Sequence, residues 1–363
     1  MQKQLLVLVL ACGVALSVPL HCCLALFLVQ QPVAIPPAPS CPRCRVEFSL
    51  ELVFGDADGP GAFATRPLSV ARDSRGHYFA IAGRNPPQEF DVNGRYVRTI
   101  GRMGRGPGEF STPLRVLMTP GDTLLVFESG SFTAFTSSGT FVHAARGVGR
   151  ISSAAPLGNQ RLLARASVPT PSGANMPLHI IARDGAVVRS FGEQYRNTRL
   201  TALALNEGVW LGFPDRYELV RLDSLGGERE RLQRNAPWLP TERPESWTDY
   251  SKPPPPTIAL LRQDAGGLLW LVAQLPGPRW QDGVPEVRKD GTIDLASLKF
   301  DVLQNSLVEI LDPGSRRLVT SARFPGYIVQ FIDDRRVLAA VEDSGGIPRA
   351  QIWRIGLEHP PGS

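Results

Sequence analysis

Chemistry needs side chains that can attack, ligate or move protons, and His and Cys are the foremost of these. The five histidines are His21, His77, His143, His179 and His359. They fall in unlike settings: an apolar run, three different strand positions and the tail. Zinc or iron needs several His or carboxylate ligands converging on one point, and this scatter does not provide it. A calcium site built from Asp, Glu, Asn and carbonyl oxygens stays open. No metal ligands can be named, and no cofactor is expected.

The cysteines are Cys12, Cys22, Cys23, Cys41 and Cys44. The last two form Cys-Pro-Arg-Cys. One such pair cannot complete a four-ligand zinc site. No His follows Cys44 directly, so haem attachment is not indicated. The pair reads as a short-loop disulfide or two free thiols in a linker, with a redox pair as the functional alternative.

No GxSxG elbow, P-loop or dinucleotide fingerprint is present. Gly101, Gly104, Gly106 and Gly108 are followed by strands rather than a helix, so they read as turn residues. The absence of a catalytic set favours binding over catalysis. The alternative is a hydrolase or lyase, possibly calcium-dependent.

Binding chemistry is better represented. Trp247, Tyr250, Arg279, Trp280 and Asp282 lie in two long insertions, 234–256 and 275–303. Aromatics mixed with Arg and carboxylates suit a sugar, peptide or protein surface. The competing reading is that the tryptophans pin their loops to the scaffold.

The scaffold follows from repeats. GPGAF at 59–63 and GPGEF at 106–110 are each followed by a Pro-Leu strand. A period near 45 residues is enough for one four-stranded unit. Each unit closes on a hairpin, as in EFDVNGRYVRTI at 89–100. The turn glycines Gly94, Gly139 and Gly185 are 45 and 46 residues apart. Asn-Gly and Asp-Gly tolerate positive φ and mark such turns.

Six opening hairpins are legible, and the last unit lacks its outer strand. The alternating segment Arg45–Phe54 can supply it, which joins both chain ends and removes sheet edges. The expected fold is therefore all-β: a six-bladed β-propeller over 45–358, with a tail at 359–363. Alternating strand direction puts both insertions of the fifth blade on one face.

The block GRMGRGPGEFSTP at 101–113 resembles the opening of NHL-type repeats. The strand–Asp–x–x–Gly–strand pattern at 70–80 is similar to theirs. Gly83 and Glu128 stand where those repeats usually carry Asp. The resemblance implies a propeller more than an activity, since such proteins include extracytoplasmic sensors, scaffolds and a few metal-dependent enzymes.

Residues 5–29 are almost continuously apolar and follow Lys3. This reads as a signal anchor or a signal peptide at 1–29. Either places the rest outside the cytoplasm, in a periplasm or secreted, with membrane contact through that segment only. The Pro-rich stretch 30–44 reads as a linker. Net charge is +5, and all but four of the 39 basic residues are Arg. They are scattered and locally balanced, so nucleic acid is not an expected partner. The partner is expected to be a protein or a small-molecule ligand.

Overall fold

The computed structural model describes residues 32–157, 161–168, 176–195, 200–204, 208–223, 225–240, 247–288, 290, 292–294 and 297–359. The segment 1–29, expected to be an anchor or signal, lies outside them. No described helix is long and apolar enough to cross a membrane.

The chain begins with β1 (Val33–Ala34) and β2 (Arg45–Phe54). A four-stranded meander follows: β3 (Pro67–Arg72), β4 (Tyr78–Ala82), β5 (Gln88–Phe90) and β6 (Tyr96–Thr99). The Gly-rich block folds back as a short parallel pair, β7 (Arg102–Met103) and β8 (Glu109–Phe110). One six-stranded sheet comes next: β9 (Arg115–Met118), β10 (Thr123–Thr136), β11 (Phe141–Leu157), β12 (Arg161–Ser167), β13 (Leu178–Ile181) and β14 (Val187–Phe191).

The third sheet holds β15 (Leu200–Ala204), β16 (Gly208–Gly212), β17 (Glu218–Leu222) and β18 (Glu228–Gln233), with β1 added at the rim. The fourth contains β19 (Thr257–Gln263) and β20 (Leu269–Pro276). Its insertion carries a small hairpin, β21 (Glu286–Val287) and β22 (Ile293–Asp294), before β23 (Gln304–Asp312) and β24 (Arg317–Arg323). The fifth combines β25 (Ile328–Asp333), β26 (Arg336–Glu342) and β27 (Pro348–Glu358) with β2.

The all-β propeller is as expected, but the blade count is not: the described strands make five large sheets rather than six. The difference lies in the second sheet. The expected units that open at Pro113 and at Ser153 are continuous because β10 and β11 do not break at their turns. Ser129 pairs with Arg150 and Ser131 with Arg146, so the ladder runs through the corner. Gly130, Gly147 and Gly149 have φ of 90°, 77° and 68° there, which bends the backbone without ending the pairing.

Inner strands close the ring. β25 packs on β3, β3 on β9, β11 on β15, β15 on β19 and β19 on β25. Side chains substitute for strand pairing between sheets. Gln330 accepts from the Val70 N–H (3.1 Å) and donates to its carbonyl (2.9 Å), and Ser69 accepts from the Val116 N–H (3.0 Å). Second strands such as β4 (YFAIA) and β16 (GVWLG) are buried on both faces. They therefore read as unbroken apolar runs, whereas the rim strand β6 alternates.

Bulges fall near the start of three inner strands, between Pro67/Ser69, Ile258/Leu260 and Ile328/Gln330, and late in β11, between Ile151/Ser153. Such an extra residue sharpens twist and re-aims its side chain.

β2 closes the last sheet against β27, from Arg45↔Glu358 to Phe54↔Ala350. Phe54 lies 4.6 Å from Phe90, centroid to centroid, so the strand also seals the contact with the first sheet. Before β2 the chain is strapped along the rim. β1 runs parallel to β18, Ile35 N–H reaches Gln233 O (2.7 Å), and Ser40 and Cys41 N–H groups reach Leu318 O and Val319 O on β24. Deleting Arg45–Phe54 should open an edge and lower stability by on the order of several kcal/mol, because pairing and apolar burial go together. Urea denaturation of the truncated chain checks this; an unchanged midpoint rejects the closing role.

Candidate functional site

Register places the insertions. Thr257 pairs with Gln274 and Pro276 with Gln304, so β19 begins where β20 ends and β23 starts. The segments 234–256 and 275–303 therefore leave from one face. Thr257 Oγ1 and Ile258 N–H both donate to Pro214 O, which brings the β16–β17 loop of the neighbouring sheet to the same face.

In the first insertion, Trp247 and Tyr250 pack edge to face at 4.8 Å. Trp247 Nε1 donates to Lys252 O (3.1 Å), and Lys252 pairs with Asp249 (3.1 Å). These two aromatics hold their own loop.

In the second insertion, Trp280 opens a 3-10 turn, Trp280–Gly283, and is half-buried. Arg279 and Asp282 flank it with side chains 79% and 65% exposed, 4.0 Å apart. Exposure at that level makes this pair worth little to stability, so both groups are free to meet a partner. Among the described residues no hydrogen bond, ion pair or ring contact joins Trp247 and Tyr250 to Arg279, Trp280 or Asp282.

The second insertion is fixed at its return. A helical turn, α1 (Phe300–Leu303), bonds back to the 3-10 turn through Lys299 N–H and Gly283 O (3.1 Å). Asp301 pairs with Arg66, the residue before β3, and Arg66 also donates to Leu298 O (3.4 Å). Phe300 lies 6.1 Å from Tyr327, just before β25, with burial raising the Tyr327 phenol pKa. Sequence reasoning missed Arg66, Phe300, Asp301 and Tyr327. Arg66 and Asp301 are 235 positions apart, and such a pair leaves no local pattern.

A cleft of about 670 Å³ lies beside the first insertion, walled by 34–37 of the strap, 215–218, 233–236 and 239–240. Beneath it is a carboxylate that sequence reasoning also missed. Glu309 on β23 accepts from Arg234 Nη1 at 2.9 Å to each oxygen, from Tyr217 Oη (2.7 Å) and from Trp238 Nε1 (3.0 Å). The Arg234 and Glu309 side chains are 5% and 2% exposed. Burial, then the neighbouring Glu309 charge, pushes the Tyr217 phenol well above its usual pKa. Arg234 Nη2 also reaches Pro37 O (3.4 Å) in the strap. With three donor groups committed to it through four hydrogen bonds, this carboxylate holds β17, β18, β23 and the strap together.

The described histidines are likewise separate. His77 meets Glu89 (2.8 Å), and His143 meets Arg183 O (2.7 Å). His179 is buried against Ser190 and Ala166 O, and burial lowers its pKa. Among the described residues no three His, Cys, Asp or Glu converge as a metal would require.

No protein-family model matches the chain, and no curated protein matches it. Its fold is similar to that of a DUF4221 family member from Bacteroides vulgatus, with a TM-score of 0.57 and 12% identity over 87% of this chain and 99% of that one. It is also similar to a Bacteroides fragilis protein described as exported, with a TM-score of 0.51 and 9% identity over 90% of this chain and 100% of that one. At these identities the likeness is one of fold.

Glu309→Ala should cost about 3–5 kcal/mol, because it leaves the Arg234 charge buried without its partner. Chemical denaturation measures this, and a loss below about 1 kcal/mol, the scale of an exposed pair, would show that Glu309 is not a lock.

Proposed function

We propose that this chain is an extracytoplasmic binding or scaffold propeller that engages a protein or small ligand through the long-loop face of the β19–β24 sheet. The observation that carries the reading is the second insertion. Its return is fixed to the ring by Asp301 and Arg66, while Arg279 and Asp282 stand in solvent beside half-buried Trp280. A rigidly held loop that presents aromatic and Arg side chains loses little entropy on binding, and those residue types dominate binding hot spots.

Trp247 and Tyr250 belong to the same face. Their mutual packing gives them the supporting role of shaping the first insertion. Export is supported by the apolar run at 5–29 and by the likeness to a protein described as exported. The NHL-like block at 101–113 supports a repeat-built scaffold.

Replacing Arg279 and Trp280 together by Ala should weaken partner capture by about tenfold or more with little change in melting temperature, since Arg279 is exposed and Trp280 is only half-buried. Trp247→Ala should lower stability first. A photo-crosslinker at position 279 should yield an adduct in cells, whereas one at exposed Val97 on the rim strand β6 should not. Equal labelling at both positions would remove the long-loop face from consideration. A reporter active only in the cytoplasm, fused after Ser363, should be silent.

A further inference from the structure

The Cys-Pro-Arg-Cys pair has no part in the proposed binding, and its surroundings are unlike those of a simple staple. Cys41 and Cys44 are joined by a disulfide spanning three positions, Cα to Cα 5.3 Å. Cross-linking constrains the unfolded chain in proportion to the logarithm of the loop closed, so so short a loop contributes least. The segment is also already tied down. Ser40 and Cys41 N–H groups bond to β24, and Thr320 Oγ1 donates to Cys44 O at 3.0 Å.

The two sulfurs differ in access. Cys44 is 4% exposed, whereas Cys41 is half-buried at the surface. The only described side chain within hydrogen-bonding reach of either sulfur is His359, whose Nδ1 lies 3.7 Å from Cys44 Sγ. His359 follows β27 directly and is itself exposed, so it can exchange protons with water. An accessible sulfur, a sheltered one and an imidazole on the sheltered one meet the requirements of thiol–disulfide exchange. The attacked sulfur must be reachable, and the leaving sulfur departs faster when its thiolate is stabilised.

We infer that Cys41–Cys44 is an exchange-active disulfide whose partner is a dithiol, with Cys41 the sulfur attacked and His359 the group that receives Cys44 as it leaves. One thiolate of the dithiol attacks Cys41 Sγ. The Cys41–Cys44 bond breaks, its electron pair goes to Cys44 Sγ, and the protonated His359 imidazole gives that sulfur a proton. The second thiolate of the dithiol then attacks the mixed disulfide, closes the dithiol to its own disulfide and releases Cys41, which takes up a proton. The dithiol loses two electrons and two protons, and the Cys41–Cys44 pair gains them. An oxidised partner drives the reverse.

The test uses the full chain, oxidised and natively folded, with dithiothreitol as the dithiol. Differential alkylation and peptide mapping separate the 41–44 pair from Cys12, Cys22 and Cys23. The pair should open at low millimolar reductant with the far-ultraviolet dichroism unchanged, and His359→Ala should slow opening about tenfold by withdrawing leaving-group stabilisation. A second arm is run in the His359→Ala background, so that the imidazole cannot activate Cys44. With oxidised glutathione, Cys44→Ser should form an adduct at Cys41 about tenfold faster than Cys41→Ser forms one at Cys44, since access decides which thiol reacts. A disulfide that opens only on unfolding, a rate untouched by His359→Ala, or equal adduct rates would each overturn the inference. None of these outcomes bears on the long-loop face, because neither cysteine lies on it.

Discussion

A ring of sheets is stable only if each sheet keeps its full set of strands and no inner face is left without a neighbour. The β2–β27 ladder meets both conditions at the point where the chain begins and ends. It pairs the outer edge of the last sheet, and through Phe54 it completes the cluster of Phe63, Tyr78, Phe90, Leu338 and Ile352 between the last sheet and the first. Second strands buried on both faces depend on that closure. β4, β16 and β20 carry so little polar character that they are stable only while both flanking sheets are in place.

Much of this architecture was legible because hairpin turns demand particular residues. Gly94, Gly139 and Gly185 have φ of 77°, 82° and 91°, as the Gly-turn spacing anticipates. The closing role of β2 was legible from its alternation and from the missing strand of the last unit. The count of sheets was not. A period in sequence marks where the chain turns, but whether hydrogen bonding continues through the turn depends on backbone geometry at Gly130, Gly147 and Gly149. The inner bulges were invisible for a related reason: an extra residue in a ladder is defined by its partner strand. The rim strap left no signal either, since two parallel pairs need no periodic pattern.

The site was legible in its outline and not in its contacts. Loop length and composition pointed to the two insertions. They did not show that Trp247 and Tyr250 are occupied with each other while Arg279 and Asp282 are exposed. Nor could spacing reveal the charged pairs that hold the face in shape. Arg66 with Asp301 and Arg234 with Glu309 are joined by folding alone. Each Arg reads locally as one more scattered cation.

The strap also sets how the domain carries mechanical load. Tension applied at residue 32 and directed along the rim acts on β1 parallel to β18, so the bonds at Val33, Ala34 and Ile35 resist in shear and share the force. Only after these yield does the load reach the Ser40 and Cys41 contacts with β24, and only then the Arg45 end of β2. The closing strand, which would otherwise peel one pair at a time, is thus shielded by two sacrificial attachments on neighbouring sheets. The propeller can be held by its leading end without that pull acting first on the seam that keeps it closed.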